Sequence, residues 1–188
     1  MVTLFIARHG QTEENVRRIL QGQMPGHLTE EGIEQAKMLR DSLRDTHFDC
    51  IMTSDLLRAV DTARIISAPH GGRFRLEPLL RERNFGIHTG GPYIKIGSTL
   101  DSTAETMEQL AARALAFLQM LSCEYDGKQV LAVSHGLFLR VLQSVLYGVD
   151  LHDVEKMNNA EVRKLSISQV KREADLSGVA NAFYGKEY

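Results

Sequence analysis

Three short apolar segments that each end in polar residues limit the folds open to this chain. They span residues 2–7, 48–53 and 130–133, and further strand-like runs span 74–77 and 162–170. Strands that alternate with helical segments form parallel sheets, and near-continuous apolar runs fit strands that helices cover on both faces. The pattern therefore predicts an α/β fold, with three layers α/β/α around a mostly parallel central sheet.

Four amphipathic segments lie between or after these strands. The predicted helices span residues 30–43, 55–67, 103–124 and 136–147. Thr29 is the predicted N-cap of the first helix, and either Asp55 or Ser54 is the predicted N-cap of the second. Apolar residues recur at helical spacing in all four segments, so one face of each helix is expected to pack against the sheet.

Composition excludes several classes of protein. The 188 residues carry a formal net charge of -2, whereas a protein that tracks nucleic acid along its backbone is strongly basic. The two cysteines fit a reducing compartment, and the apolar start is too short to span a membrane or act as a signal peptide. We expect one domain over residues 1–188 in a cytoplasmic protein that binds neither nucleic acid nor membrane.

Two segments interrupt the alternation of strands and helices. Residues 87–102 contain Gly90-Gly91-Pro92 and Gly97-Ser98-Thr99 and show little periodicity. They predict a short lid-like excursion over the sheet, with a plain surface loop as the alternative. Residues 171–188 are charged and then small or polar, which predicts a surface tail.

The three main strands end in related polar residues. Arg8-His9-Gly10 follows the first strand, Ser54-Asp55 follows the second with Arg58 one turn later, and Ser134-His135-Gly136 opens the last helix. Ligands of open α/β sheets bind outside the carboxyl ends of the strands. Arg8, His9, Arg58 and His135 are therefore expected to converge at one sheet edge, beside the free N–H groups of a helix N-terminus.

Two arginines, two histidines and a helix N-terminus favour a phosphate dianion. The chain has no glycine-rich loop that ends in Lys-Ser or Lys-Thr, and no Asp, His and Glu cluster typical of a two-metal phosphatase. The interpretation that remains is a direct nucleophilic attack by neutral His9 on phosphorus while the arginines neutralise the phosphoryl oxygens. No metal and no cofactor is predicted.

Glu82 is the predicted proton donor and acceptor of this chemistry. Two-step transfer needs an acid for the leaving oxygen and later a base for water, and one carboxyl group can serve both. The alternative is an exposed ion pair of Glu82 with Arg81 or Arg83. Gln11, Thr12 and Asn15 follow the nucleophile and are candidate phosphate donors, although Asn15 fits a helix or turn cap equally well.

Together, these and further blocks resemble the histidine phosphatase superfamily, in its phosphoglycerate mutase-like branch. The blocks that carry the resemblance are Arg8-His9-Gly10-Gln11-Thr12 with Asn15, Gln21-Gly22, Leu28-Thr29-Glu30-Glu31-Gly32 with Gln35-Ala36, Ser54-Asp55-Leu56 with Arg58-Ala59 and Thr62-Ala63, Leu80-Arg81-Glu82-Arg83-Asn84-Phe85-Gly86, and Val133-Ser134-His135-Gly136. They cover most of the chain.

The resemblance implies a role for each of the candidate site residues. His9 is the implied phosphorylated nucleophile, Glu82 the proton donor and acceptor, and Arg8, Arg58 and His135 the phosphate pocket. Asn15, Gln21, Gly22 and Gly136 are the implied supporting residues. Relatives with Asp directly after the second histidine take their acid from it, whereas Gly136 stands there in this chain and leaves the role to Glu82.

The chain departs from the family pattern between Glu82 and the long helix. The glycine-rich turn is Phe85-Gly86-Ile87-His88-Thr89-Gly90, and Ala104-Glu105-Thr106 replaces the usual Gly-Glu-Ser. Mutases of the superfamily are longer and carry larger insertions here, so the short excursion favours a phosphatase acting on a small phosphorylated metabolite. Phosphoglycerate mutase and a non-catalytic phosphate-binding module are the alternatives. The sequence leaves the substrate and the oligomeric state open.

Overall fold

The apolar segments form a five-stranded sheet in the computed structural model, which describes residues 1–93 and 100–168. The strands are β1 (Val2–Arg8), β2 (Cys50–Thr53), β3 (Arg75–Leu76), β4 (Gln129–Ser134) and β5 (Val162–Ile167). Their order across the sheet is β3-β2-β4-β1-β5. All neighbouring pairs are parallel except β1 with β5.

The α-helices of the described residues lie between the strands along the chain. They are α1 (Glu13–Val16), α2 (Glu30–Leu43), α3 (Leu57–Ser67), α4 (Met107–Glu124) and α5 (Gly136–Tyr147). Thr29 caps α2 as predicted, because its side chain accepts a hydrogen bond from the Gly32 N–H. Both predicted ends of α5 are confirmed, and its C-cap is Gly148 in the left-handed conformation.

Alternating side chains of the strands build two separate cores. Val2, Leu4 and Ile6 of β1 pack with α4 and α5 on one face of the sheet. Ala7, with Phe5 beside it, packs with α2 and α3 on the other face. This is the period of two expected for a strand that helices cover on both sides, and it confirms the predicted three-layer α/β/α fold.

The ends of several elements differ from the prediction. Strand β2 begins at Cys50 rather than residue 48, and β3 contains only two residues. Helix α3 begins at Leu57, and neither Asp55 nor Ser54 is its N-cap. The Asp55 carboxylate instead accepts two hydrogen bonds from Arg81, at 2.7 and 2.5 Å. A salt bridge to a residue distant in sequence thus takes the group that would otherwise cap the helix.

Two further differences have local causes. Helix α4 begins at Met107 rather than residue 103, because Thr106 and Gln109 form a reciprocal capping box. The sequence analysis did not predict α1, a four-residue helix with its own capping box between Thr12 and Asn15. So short a helix has no apolar periodicity that could reveal it.

Some predictions fall partly or wholly outside the described residues. These are the central part of the 87–102 excursion, the end of the predicted strand 162–170 and the tail 171–188. Within the described part of the chain, no helix is both long enough and apolar enough to cross a membrane.

Candidate active site

The carboxyl ends of β1, β4 and β2 meet at one edge of the sheet. Arg8 is in register with Ser134, and Thr53 is in register with Val133, so the residues after these strands lie side by side. Arg8, His9, Arg58 and Glu82 all line one cavity at this edge. Of the four residues predicted to converge at this edge, Arg8, His9 and Arg58 line the cavity, whereas His135 lies behind His9 and Glu82 joins them from another segment.

His9 is held with one ring nitrogen free to accept. Its side chain is buried, and Nδ1 lies 2.7 Å from the Gly10 carbonyl oxygen. Because a carbonyl only accepts hydrogen bonds, Nδ1 carries the ring proton and Nε2 keeps its lone pair. Burial, followed by the positive charges of Arg58 and Arg8, lowers the pKa of His9 well below its ordinary value. The imidazole is therefore neutral, with its lone pair on Nε2.

The turn after His9 rests on the first turn of α2. The Gln11 N–H donates to the side chain of Gln35 at 3.0 Å, and the Thr29 N–H donates to the Gln11 carbonyl at 3.0 Å. Gly10 and Gly32 allow this approach, because a Cβ atom on either would overlap backbone atoms of the opposite segment. Glycine is required here for close packing of two backbones, not for an unusual dihedral angle.

Substitution Gly32→Ala is expected to destabilise the protein by about 1–3 kcal/mol, the usual cost of overpacking a close contact. Its new methyl group would collide with the Gln11 carbonyl, and backbone cannot move aside as a flexible side chain can. Urea denaturation measures the change, with Met38→Ala on the exposed side of α2 as the control. Equal stability of the two variants would contradict the tight packing of this turn.

Arg58 is the most enclosed cation of the site. It is 1% exposed, and its Nη atoms donate to the carbonyl oxygens of Gly22, Met24 and Pro25 at 2.7–3.2 Å. Its Nε donates to His9 Nε2 at 3.3 Å. Burial lowers the pKa of Arg58 to about 10, so the guanidinium remains charged at neutral pH. The backbone carbonyls fix this charge next to Nε2 of His9.

The Arg8 side chain lies against the N-terminus of α5, next to Gly136. Its Nη1 donates to the Met157 carbonyl at 2.7 Å, while its buried Nε has no hydrogen-bond partner among the described residues. A Cβ atom at Gly136 would lie 3.2 Å from that Nε. The absence of a side chain at Gly136 therefore leaves room between Arg8 and the helix.

His135 packs against His9 without lining the cavity itself. The two ring centroids are 5.2 Å apart, and His135 Nε2 lies 2.8 Å from the hydroxyl of Ser54. His135 Nδ1 is buried without a hydrogen-bond partner in the described part of the chain. Burial, followed by the charge of Arg58, lowers the pKa of His135 well below its ordinary value, so this ring is also neutral.

Glu82 places its carboxylate at the start of α5. Oε1 accepts from the N–H groups of Phe138 at 3.1 Å and Arg83 at 2.9 Å, and Oε2 accepts from Leu137 N–H at 3.2 Å. These donors include free N–H groups of the first helical turn, which favour negative charge. The alternative of a simple surface ion pair with Arg81 or Arg83 does not fit, since Arg81 pairs with Asp55 instead.

A charged pair between Arg113 of α4 and Glu105, just before that helix, fixes the segment that carries Glu82, and the sequence analysis missed it. Arg113 donates to the carbonyl oxygens of Leu79, Arg81 and Glu82 at 2.8, 2.6 and 3.3 Å. Glu105 neutralises Arg113 at 2.9 Å. An arginine within the apolar stripe of a helix was the only sequence signal for this clamp.

The remaining predicted residues divide into two groups. Asn15, Gln21, Gly22 and Gly136 line the cavity. Gln11 and Thr12 do not: the Gln11 side-chain oxygen accepts from Thr29, and the buried Thr12 hydroxyl caps α1 by accepting from Asn15 N–H. These contacts use the acceptor oxygens of both side chains, and neither side chain lines the cavity, so their donation to phosphate stays a prediction.

Three further cations line the cavity that the sequence analysis did not select, namely Arg83, Arg140 and Lys156. Apolar side chains line it between the charged ones, among them Phe85 and Leu137. Arg83 lies next to Glu82 in sequence, but Arg140 and Lys156 belong to no recognisable motif. Within residues 1–93 and 100–168, no three His, Cys, Asp or Glu side chains group as metal ligands would.

Comparison with known families agrees with this arrangement. A family model described as the histidine phosphatase superfamily, branch 1, matches residues 4–179. The chain belongs to this superfamily. The resemblance inferred from the sequence blocks is confirmed.

Individual relatives in the superfamily carry the names of different activities. The probable phosphoglycerate mutase GpmB of Photorhabdus laumondii is 32% identical over 185 residues, which cover 90% of this chain and 85% of that protein. The alpha-ribazole phosphatase from Shigella flexneri is 27% identical with a TM-score of 0.80, covering 89% of this chain and 91% of that one. A mycobacterial glucosyl-3-phosphoglycerate phosphatase is 27% identical with a TM-score of 0.77, covering 87% and 92%.

Proposed function

We propose that the protein hydrolyses small phosphomonoesters through a phosphohistidine intermediate on His9. The observation that carries this proposal is the neutral His9 imidazole, which lines the cavity with Arg8 and Arg58 and keeps its acceptor nitrogen Nε2 in contact with Arg58. Members of the superfamily with phosphatase names support the reaction class. The substrate would be a phosphorylated metabolite whose phosphoryl group lies between Arg8 and Arg58.

In the first step, Nε2 of His9 attacks phosphorus as the bond to the ester oxygen breaks. Arg8 and Arg58 neutralise the phosphoryl oxygens. The Arg58 N–H that donates to His9 Nε2 in the structure donates to one of these oxygens instead, and Arg58 keeps its proton. If Ser54 donates to His135 Nε2, the ring proton of His135 lies on Nδ1. That N–H has no partner among the described residues and is a further donor to the phosphoryl group. Glu82 gives a proton to the leaving oxygen.

In the second step, water attacks phosphorus and the bond to His9 Nε2 breaks. Glu82, now a carboxylate, accepts the proton that water loses and is ready for another cycle. Both steps use positive charge supplied by arginine, so we expect activity without any added divalent cation. The same groups would serve phosphoryl transfer to a second substrate, which is the reaction of a mutase.

Mutase activity is the second candidate, because the curated relative carries that name. A mutase must keep its phosphohistidine away from water until the acceptor arrives. The 87–102 excursion of this chain is short compared with the insertions of the mutases, which favours access of water and therefore hydrolysis.

A direct comparison of the two reactions tests the proposal. We expect release of inorganic phosphate from p-nitrophenyl phosphate and from 3-phosphoglycerate, undiminished by EDTA. An enolase-coupled assay measures formation of 2-phosphoglycerate in parallel. Faster formation of 2-phosphoglycerate than of free phosphate would favour the mutase, and activity lost to EDTA but restored by a divalent ion would contradict direct attack by His9.

A further inference from the structure

The cavity holds more positive charge than a phosphoryl group requires. Arg83 and Arg140 are 8% and 7% exposed, and Lys156 lies on the same lining. Among the described residues, none of the three forms an ion pair with an acidic side chain, and the Glu105 carboxylate near Arg83 is paired with Arg113. A buried guanidinium without a counterion is costly, so its presence in the cavity lining points to an anion that binds there.

Two backbone carbonyl groups hold Arg140 in place and leave some of its N–H groups without an acceptor among the described residues. It lies four residues after Gly136 on α5, one turn or about 6 Å further along the same helix face. Its Nε donates to the Val154 carbonyl at 3.0 Å and its Nη2 to the Leu151 carbonyl at 2.7 Å. Two of the five N–H groups are used in these bonds, so three remain for a ligand.

Lys156 belongs to the backbone segment 154–157, which contacts Arg140 at one end and Arg8 at the other. Val154 accepts from Arg140, and Met157, three residues later, accepts from Arg8 at 2.7 Å. Arg163 holds the intervening backbone by donating to the Lys156 carbonyl at 3.3 Å. Lys156 therefore lies between the two guanidinium groups along this wall, with its own side chain exposed to solvent.

We propose that Arg140 and Lys156 form a second anion subsite, which binds a carboxylate on the leaving group of the phosphomonoester. Arg83 adds positive charge to the same cavity, and the side chains of Leu137 and Met157 give the carbon skeleton an apolar surface. The burial that lowers the pKa of Arg140 also strengthens its attraction for an anion. This inference rests on the proposed phosphatase function and narrows its substrate class to phosphorylated carboxylic acids.

Two substrates that differ mainly in one charge test the subsite. D-3-phosphoglycerate carries a carboxylate where sn-glycerol 3-phosphate carries a neutral hydroxymethyl group. We expect kcat/KM for phosphate release to favour the carboxylate by at least about tenfold, the size of one charge-assisted hydrogen bond. This preference should fall as ionic strength rises, since Lys156 is exposed. Equal kcat/KM values for the two substrates would overturn the subsite.

Variants identify which cation causes the preference. Lys156→Gln should lower the ratio of the two kcat/KM values by about threefold to fivefold, as expected for a partly exposed charge pair. Arg140→Lys should lower it further, because the planar fork is lost. Lys37→Gln, on the exposed side of α2, is the control and should leave the ratio unaltered. A carboxylate preference that survives both site variants would overturn the assignment.

Hydrolysis of p-nitrophenyl phosphate separates this inference from the proposed function. That substrate has no carboxylate, so its turnover depends on the phosphoryl pocket alone. If the protein hydrolyses it but does not discriminate between the two glycerol derivatives, the subsite fails and the phosphatase stands. If no phosphomonoester is hydrolysed at all, the proposed function fails, and the subsite fails with it.

Discussion

Substitution His9→Asn is expected to lower kcat/KM for p-nitrophenyl phosphate at least about 10³-fold, because it removes the nucleophile of a two-step reaction. Asparagine keeps a polar group next to Arg58, so the buried guanidinium is not left facing an apolar side chain. Water could still attack a phosphate held by Arg8 and Arg58, which sets the residual rate. The measurement is a steady-state assay at saturating and limiting substrate concentrations.

The matched control is His47→Asn, since the His47 side chain is 75% exposed and lies outside the cavity. It should retain the activity of the unsubstituted protein. Rapid quenching into alkali should trap an acid-labile phosphoryl group on the unsubstituted protein and none on the His9→Asn variant. Activity of that variant within about tenfold of normal, or trapping on another residue, would contradict the assignment of His9.

The contact between Arg58 and His9 fits the proposed attack by His9. Arg58 donates to the same Nε2 atom that is to become bonded to phosphorus. The contact lies at 3.3 Å, longer than the 2.7 and 2.8 Å bonds that Arg58 makes to the Met24 and Gly22 carbonyls. A phosphoryl oxygen is a charged acceptor and would attract the same N–H more strongly. In the proposed mechanism, substrate binding therefore frees the lone pair without any need to move the guanidinium.

Features set by local periodicity could be predicted from the sequence. The apolar runs of β1 and β4 and both ends of α5 follow from residues that are close along the chain. The site residues at the strand ends could be predicted for the same reason, because parallel strands bring their carboxyl ends to one edge. Glu82 was predicted from the need for an acid and a base and was supported by the family blocks, although no periodicity could give its position relative to His9.

Features set by contacts between distant residues could not be predicted. Arg113 binds the Leu79 carbonyl from 34 positions away, and Arg140 is held by the irregular segment after α5. The same reason explains the wrong caps, since Asp55 pairs with Arg81, which is 26 positions away. A single sequence can mark an unusual residue, such as an arginine beside an apolar stripe, but it does not show which distant group that residue binds. They nevertheless decide where Glu82 lies and how much positive charge the cavity holds.

Substitution Glu82→Gln is expected to affect substrates according to their leaving groups. With an alkyl phosphate the leaving oxygen needs a proton, so kcat/KM should fall about 10²–10⁴-fold, the usual contribution of a positioned general acid. With p-nitrophenyl phosphate the leaving group departs as a stable anion, so phosphorylation of His9 should be much less affected. The measurement is kcat/KM for a series of phosphomonoesters of increasing leaving-group pKa.

Glu77→Gln is the matched control for this change. Glu77 is a buried carboxylate on the same segment of chain and also accepts a backbone hydrogen bond, from Leu79 at 3.2 Å, but it does not line the cavity. A general loosening of the segment would lower all substrates alike in both variants. Loss of the acid alone makes the rates of the Glu82→Gln variant depend more steeply on leaving-group pKa than those of the unsubstituted protein. Loss of the base lets phosphohistidine accumulate from p-nitrophenyl phosphate, because water is no longer activated. An equal loss for the aryl and the alkyl phosphate would therefore assign Glu82 a structural role and require another proton donor.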